Sequence, residues 1–321
     1  MPNNRPGVSP GKKRELALTL IAQPAEGLSI PSRDSSAQIS RSWLASLTLR
    51  LAHRGGATRV TRAKHQGPLR VQRPFYPEGQ LAHVYLLHPP GGLVVGDQLT
   101  LDMATESGAQ ALVTTPSAGK VYSLKALRHS NKSITQEQTI SLRVEPHSSL
   151  EWLPQETIIF NGANARLHTR VDAHKDSRFC LWDIVCLGRP ACDETFNDGE
   201  LLQTLEVSLE GLPILRERNR VCGGDPIMQQ PWGLQGATAF GTMVAKVSIP
   251  RDDIDQLLEH LAAEHSDQGA SWGITQKQGL LIARYLGPSA AQCRIGFAAI
   301  WAAIRPTMIG REAVQPRIWN T

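Results

Sequence analysis

Seven carboxylates stand in or beside apolar, strand-like segments of the sequence: Asp97, Glu151, Glu156, Asp183, Asp193, Glu194 and Glu217. Burying such a group is costly unless it is paired or bonded to a cation. One arrangement pairs the acids with neighbouring arginines such as Arg189, Arg216, Arg218 and Arg220. A second is a polar, water-filled path on which a divalent ion pauses at carboxylate and carbonyl oxygens. A third makes them the paired acids of a carboxylate-dependent β-helical hydrolase, about 5 to 10 Å apart across a groove. The path needs a lumen, whereas the hydrolase needs an open cleft beside two acids.

Other reactive types are dispersed. His83 and His88 lie five apart, on opposite faces of a strand and not side by side as ligands. They read as core or surface residues. Cys180, Cys186 and Cys192 are evenly spaced, but on an extended strand the first two would stand roughly 20 Å apart, too far to share a metal. Gly119-Lys120 lacks the remainder of a P-loop, because Val121 follows the lysine. HExxH and GxGxxG are absent, and no cysteine–histidine cage that would store a metal is visible.

The elements that must position these groups have a period of two over residues 43–247. Leu47, Leu49 and Leu51 alternate with polar neighbours, as do Leu99, Leu101 and Met103, and Ile140, Leu142 and Val144. Such alternation marks half-buried strands. A strand–turn–strand unit recurs at irregular spacing, from Leu101 and Met103 into Ala111 to Val113, and from Leu142 and Val144 into Leu150 to Leu153. Leu167 to Val171 runs likewise into Phe179 to Val185. The expected fold is mainly β, a layered or β-helix-like stack of sheets. Near the C-terminus the period changes. Ile254, Leu257, Leu258 and Leu261 share a helical face after Pro250, with Asp252 or Asp253 available as cap. Leu280 to Leu286 reads as a strand, and residues 289–304 as a second helix stopped by Pro306. One domain is expected over residues 41–321, with this helix–strand–helix unit over about 250–305.

Residues 1–40 are rich in Pro, Gly, Ser, Arg and Lys and read as a flexible basic tail. They contribute to a net charge of +5 and a pI near 9.1. No zinc-finger spacing, aromatic RNP pattern or helix-turn-helix accompanies that charge, so nucleic acid is not the expected partner. Lys12, Lys13 and Arg14 before the short apolar run Leu16 to Ala22 faintly suggest a signal peptide, but Glu15 interrupts the junction. No run is long enough to span a bilayer. Five cysteines without a CxxC read as reduced thiols, and the expected location is cytoplasmic.

Several blocks together resemble the UreD (UreH) family of urease accessory proteins. The first runs from Arg73-Pro74-Phe75-Tyr76-Pro77-Glu78-Gly79 to Leu87-His88-Pro89-Pro90-Gly91-Gly92-Leu93-Val94-Val95-Gly96-Asp97. Thr114-Thr115-Pro116-Ser117-Ala118-Gly119-Lys120-Val121-Tyr122 is similar to the next, and Leu150-Glu151-Trp152-Leu153-Pro154-Gln155-Glu156-Thr157-Ile158 to the most specific. Leu187-Gly188-Arg189, Glu194-x-Phe196 and Pro316-Arg317-Ile318-Trp319 follow in the family's order. The resemblance implies a mainly β fold with two helices and a protein that is not itself an enzyme. It implies partnership with UreF, recruitment of the nickel-carrying GTPase UreG through that pair, and contact with the urease apoprotein. No tightly bound cofactor is implied, only Ni²⁺ in transit through an internal passage. Three positions depart from the family's habit. Val95 replaces a glycine, Gly119 and Val121 flank the lysine where bulkier neighbours are usual, and Asp183 stands where glutamate is common.

Overall fold

Strands that alternate apolar and polar residues bury one face each, so they must pair into sheets whose apolar faces meet. A computed structural model describes residues 43–123, 134–264 and 269–320, which form two sheets and two helices. These residues belong to one compact unit, Arg41–Thr321. The tail and the faint signal-like run expected over residues 1–40 lie outside the described residues. The fold is mainly β, as the period-two pattern predicts.

The first sheet has seven strands. In order they are Leu212–Cys222, Glu200–Leu209, Asn164–Ala173, Gln136–Val144, Gln98–Thr105, Leu44–Arg54 and Ala57–Gln66. Its inner pairs are parallel and its two outermost pairs antiparallel. The second sheet has eleven strands, with Arg178–Leu187, Ser149–Trp152 and Gln110–Thr114 side by side and parallel at its centre. Successive rungs pass from one sheet to the other. Gln98–Thr105 leads into Gln110–Thr114, Gln136–Val144 into Ser149–Trp152, and Asn164–Ala173 into Arg178–Leu187. This is the recurring unit of the sequence, wound as an irregular, β-helix-like coil.

Two turns show why particular residues are needed. The Gly91 N–H donates to the His88 carbonyl at 2.8 Å, and Gly91 adopts φ +76°, which glycine tolerates without strain. At Gly92 a Cβ would stand 2.5 Å from the Lys120 carbonyl oxygen. Its absence lets residues 88–93 lie against Gly119–Val121, where the Leu93 N–H reaches Lys120 at 2.7 Å.

Helix α1 (Arg251–Glu264) begins directly after Pro250. Asp252 and Asp253 therefore sit in its first turn, favoured there by the helix dipole, and do not cap it. Helix α2 (Ala290–Ile309) is capped by Ser289 and, contrary to expectation, continues through Pro306 to Gly310. A proline in the last turns removes a single hydrogen bond. Here the helix is held across it by Arg305, which is anchored to the second sheet, and by the Gly310 N–H bonded to the Pro306 carbonyl. The strand Ser271–Lys277 was not legible, because Ile274 is the one fully buried residue in it.

Both helices pack on the second sheet. One apolar core lies between the sheets, with Leu49, Met103, Val171 and Val207 facing Val113, Trp152 and Leu181. Another lies between the second sheet and α2, where Trp182 meets Phe297 with ring centroids 6.2 Å apart and Trp301 meets Trp319 at 5.9 Å. No helix among the described residues is long and apolar enough to cross a membrane.

Candidate functional site

The inter-sheet core is interrupted where the strand register brings polar residues to the inner face. Across three neighbouring strands Gln138, Leu167 and Gln203 are aligned, and Thr169 stands two residues further along. Opposite them the strand Arg178–Leu187 places Asp183 on the face it shares with Leu181 and Val185. Polar groups of this size do not close over one another as leucines do. A cavity of about 410 Å³ remains, lined by these residues, by Trp152, by the turn at His88 and by the short strand Gly119–Val121.

The electrostatics of the cavity follow from the burial of its polar groups. Desolvation pushes the Asp183 carboxyl up to about 6, against a hydrogen bond from the Thr169 hydroxyl that favours its charged form. Burial likewise holds His88 below the usual imidazole range, against the opposing charge of Asp97, so it is neutral at pH 7. The Trp152 indole N–H is buried and has no hydrogen-bond partner among the described residues. Asp183 is the one Asp or Glu among the described lining residues.

The other six candidate acids stand elsewhere. Asp97 is buried in a turn, where its carboxylate accepts from the Trp43 N–H at 3.0 Å and the Val94 N–H at 2.9 Å. Glu151 points to the opposite face of its strand, toward α2. It accepts from the Trp301 Nε1–H at 2.6 Å and from Arg305 at 2.9 Å. Arg305 also binds Glu78 at 2.7 Å, and Glu78 reaches His83 at 2.7 Å, completing a buried charged cluster. Glu156 is half-buried, and its charge adds to the burial that pushes Cys186 up to about 11 and Cys293 well above the thiol range. Asp193 is exposed in a left-handed turn, φ +54°. Glu194 pairs with Arg189, whose guanidinium lies 4.6 Å from the Phe160 ring centroid. Glu217 pairs with Arg284 and accepts from the Thr242 hydroxyl at 3.0 Å.

The seven acids thus do not form one continuous row. Arg189 is an ion-pair partner as expected, but Arg216 and Arg220 pair with Glu206 and Glu200. The buried partner of Glu151 is Arg305, an arginine on the apolar face of α2 that sequence reasoning passed over. The inter-sheet cavity presents Asp183 without a second carboxylate, whereas Asp193, Glu194 and Asp225 line a separate cleft in which Glu194 is held by Arg189. Among the described residues no three His, Cys, Asp or Glu side chains converge on a common point. Sequence reasoning also undervalued His88, although it stands in the turn-forming His-Pro-Pro-Gly-Gly block, and Gln138, Thr169 and Gln203, which only register identifies.

The sequence profile of the UreD urease accessory protein family matches residues 44–320. The urease accessory protein UreD of Saccharophagus degradans is 46% identical over 283 residues, covering 88% of this chain and 94% of that protein. That of Hahella chejuensis is 43% identical over 291 residues, covering 88% and 92%. That of Alkalilimnicola ehrlichii is 40% identical over 302 residues, covering 94% and 99%.

Proposed function

The chain belongs to the UreD family of urease accessory proteins, and from that premise we propose that it is a nickel-delivery scaffold. With UreF and the GTPase UreG it passes Ni²⁺ through its interior to apo-urease in the cytoplasm. It performs no turnover of its own and holds no resident cofactor.

The observation that carries this reading is the partly open space of about 410 Å³ between the sheets, with one carboxylate in its wall. At ~30 Å³ per water it has room for roughly a dozen waters, or for an ion with its hydration shell. Ni²⁺ accepts oxygen and imidazole donors. Asp183, the amides of Gln138 and Gln203, and the neutral His88 supply such donors singly, around a space and not around a point. An ion can therefore pause without being chelated. The other six acids are secondary candidates; Glu156, beside the thiols Cys186 and Cys293, is the next position to test.

Urease expressed without this chain should accumulate normally and contain little nickel, as read by metal analysis of the purified enzyme. Full nickel content in its absence would contradict the proposal.

A further inference from the structure

The outer face of the seven-stranded sheet has no helix on it among the described residues, since α1 and α2 both pack on the other sheet. At about 4.8 Å per strand it is roughly 29 Å wide. One register row runs across it as Ser46, Thr100, Thr139, His168, Thr204 and Arg218. Four of these six are Ser or Thr, whose short side chains keep much of the row low.

Charge on this platform is unbalanced. Arg50, Arg170, Arg216 and Arg220 are each neutralised by an acid on the same face, namely Asp102, Asp172, Glu206 and Glu200. Arg62, Lys64, Arg143, Arg166 and Arg218 are exposed and are in no ion pair among the described residues, while Glu137 is the one carboxylate of the face similarly unpaired. The unpaired cations are spread from one edge strand to the other. That distribution does not follow a nucleic-acid backbone, the interspersed carboxylates would repel phosphates, and no Phe, Tyr or Trp stands among the row residues to stack a base.

We propose that the outer face of the seven-stranded sheet is a docking surface for a flat, acidic face of a protein partner. Opposite charge across such a surface steers encounter and fixes register more than it adds affinity. The inference rests on the family reading only in taking the partners to be tested from it.

The test is binding of the full chain to apo-urease and, separately, to UreF, comparing wild type with Arg143→Glu/Arg166→Glu/Arg218→Glu. Wild-type affinity for one of the two should weaken as NaCl rises from about 50 to about 300 mM. The triple variant should lose about tenfold or more for that partner at an unchanged melting temperature. The corresponding triple glutamine variant, which reverses no charge, should fall between them and serves if the reversal unfolds the chain. Wild-type affinity of both variants for both partners overturns the docking face and leaves the family reading standing. A wild-type chain that binds neither partner overturns the docking face and the delivery function proposed above. A variant that loses only binding to a short RNA duplex overturns the protein occupant.

Discussion

Asp183→Asn should make the protein more stable at neutral pH and a worse carrier of nickel. The carboxyl is ionised at pH 7.5 but desolvated, which is why it is pushed up to about 6. A carboxyl raised above its unfolded value costs the fold stability wherever it is charged. Below about 4 the carboxyl is protonated in both states, and wild type and variant should unfold alike. Between about pH 4 and 6 the unfolded chain gives up its proton first, so wild type loses stability as pH rises. Above that window the difference is complete. The expected gain for the variant at pH 7.5 is about 1 to 3 kcal/mol, read from urea midpoints across the pH range. Nickel transfer should move the other way. A carboxylate in contact with a cation is worth more than ~1.4 kcal/mol at an effective dielectric of 20, so delivery should fall about tenfold or more. A variant that is less stable and delivers normally would show that Asp183 is a packing residue.

Arg305→Ala should cost about 3 to 5 kcal/mol, the largest loss of stability expected from a single truncation outside the apolar core. Burial alone would pull the Arg305 guanidinium down, but the hydrogen bonds and charge of Glu151, and then of Glu78, hold it above its ordinary range. The side chains of Glu151 and Arg305 are wholly covered and that of Glu78 is 4% exposed, so neither acid can turn to water when the arginine is removed. The lost groups also join layers. Arg305 binds the second sheet through both acids and the C-terminal segment through the Glu312 carbonyl. A urea titration should show the loss, and removing the acids as well (Arg305→Met/Glu151→Leu/Glu78→Leu) should restore part of it, because no carboxylate is left stranded although His83 and the Trp301 N–H lose their partners. Unchanged stability in Arg305→Ala would mean that the cluster is wet.

The contrast between these two sites explains what could be read from the sequence. Period and punctuation identify which strands exist and which face each buries, so the rung pairs Gln98–Thr105 with Gln110–Thr114 and Asn164–Ala173 with Arg178–Leu187 were legible. They do not say which face of the second sheet meets the first. That choice separates Asp183 from Glu151: both are carboxylates in apolar strands, but one faces the cavity and the other α2. The polar gap itself arises because Gln138 and Gln203 flank Leu167 in register, a coincidence of strands far apart in the chain. Pro306 misled because a proline near a helix end stops the chain only when nothing holds the turn, and Arg305 holds it. Arg305 itself left a signal, as an arginine between Ile304 and Pro306 on the face of Phe297, Ile300 and Trp301. The edge strand Ser271–Lys277 left none.

The most direct measurement fills the cavity and counts nickel. Thr169→Phe, alone or with Gln138→Phe, places an apolar ring in the space beside Asp183 while leaving every outer surface unchanged. A variant that remains folded and still binds its partners should leave urease as poor in nickel as urease made without the chain. Urease fully loaded by the filled protein would contradict passage through the interior.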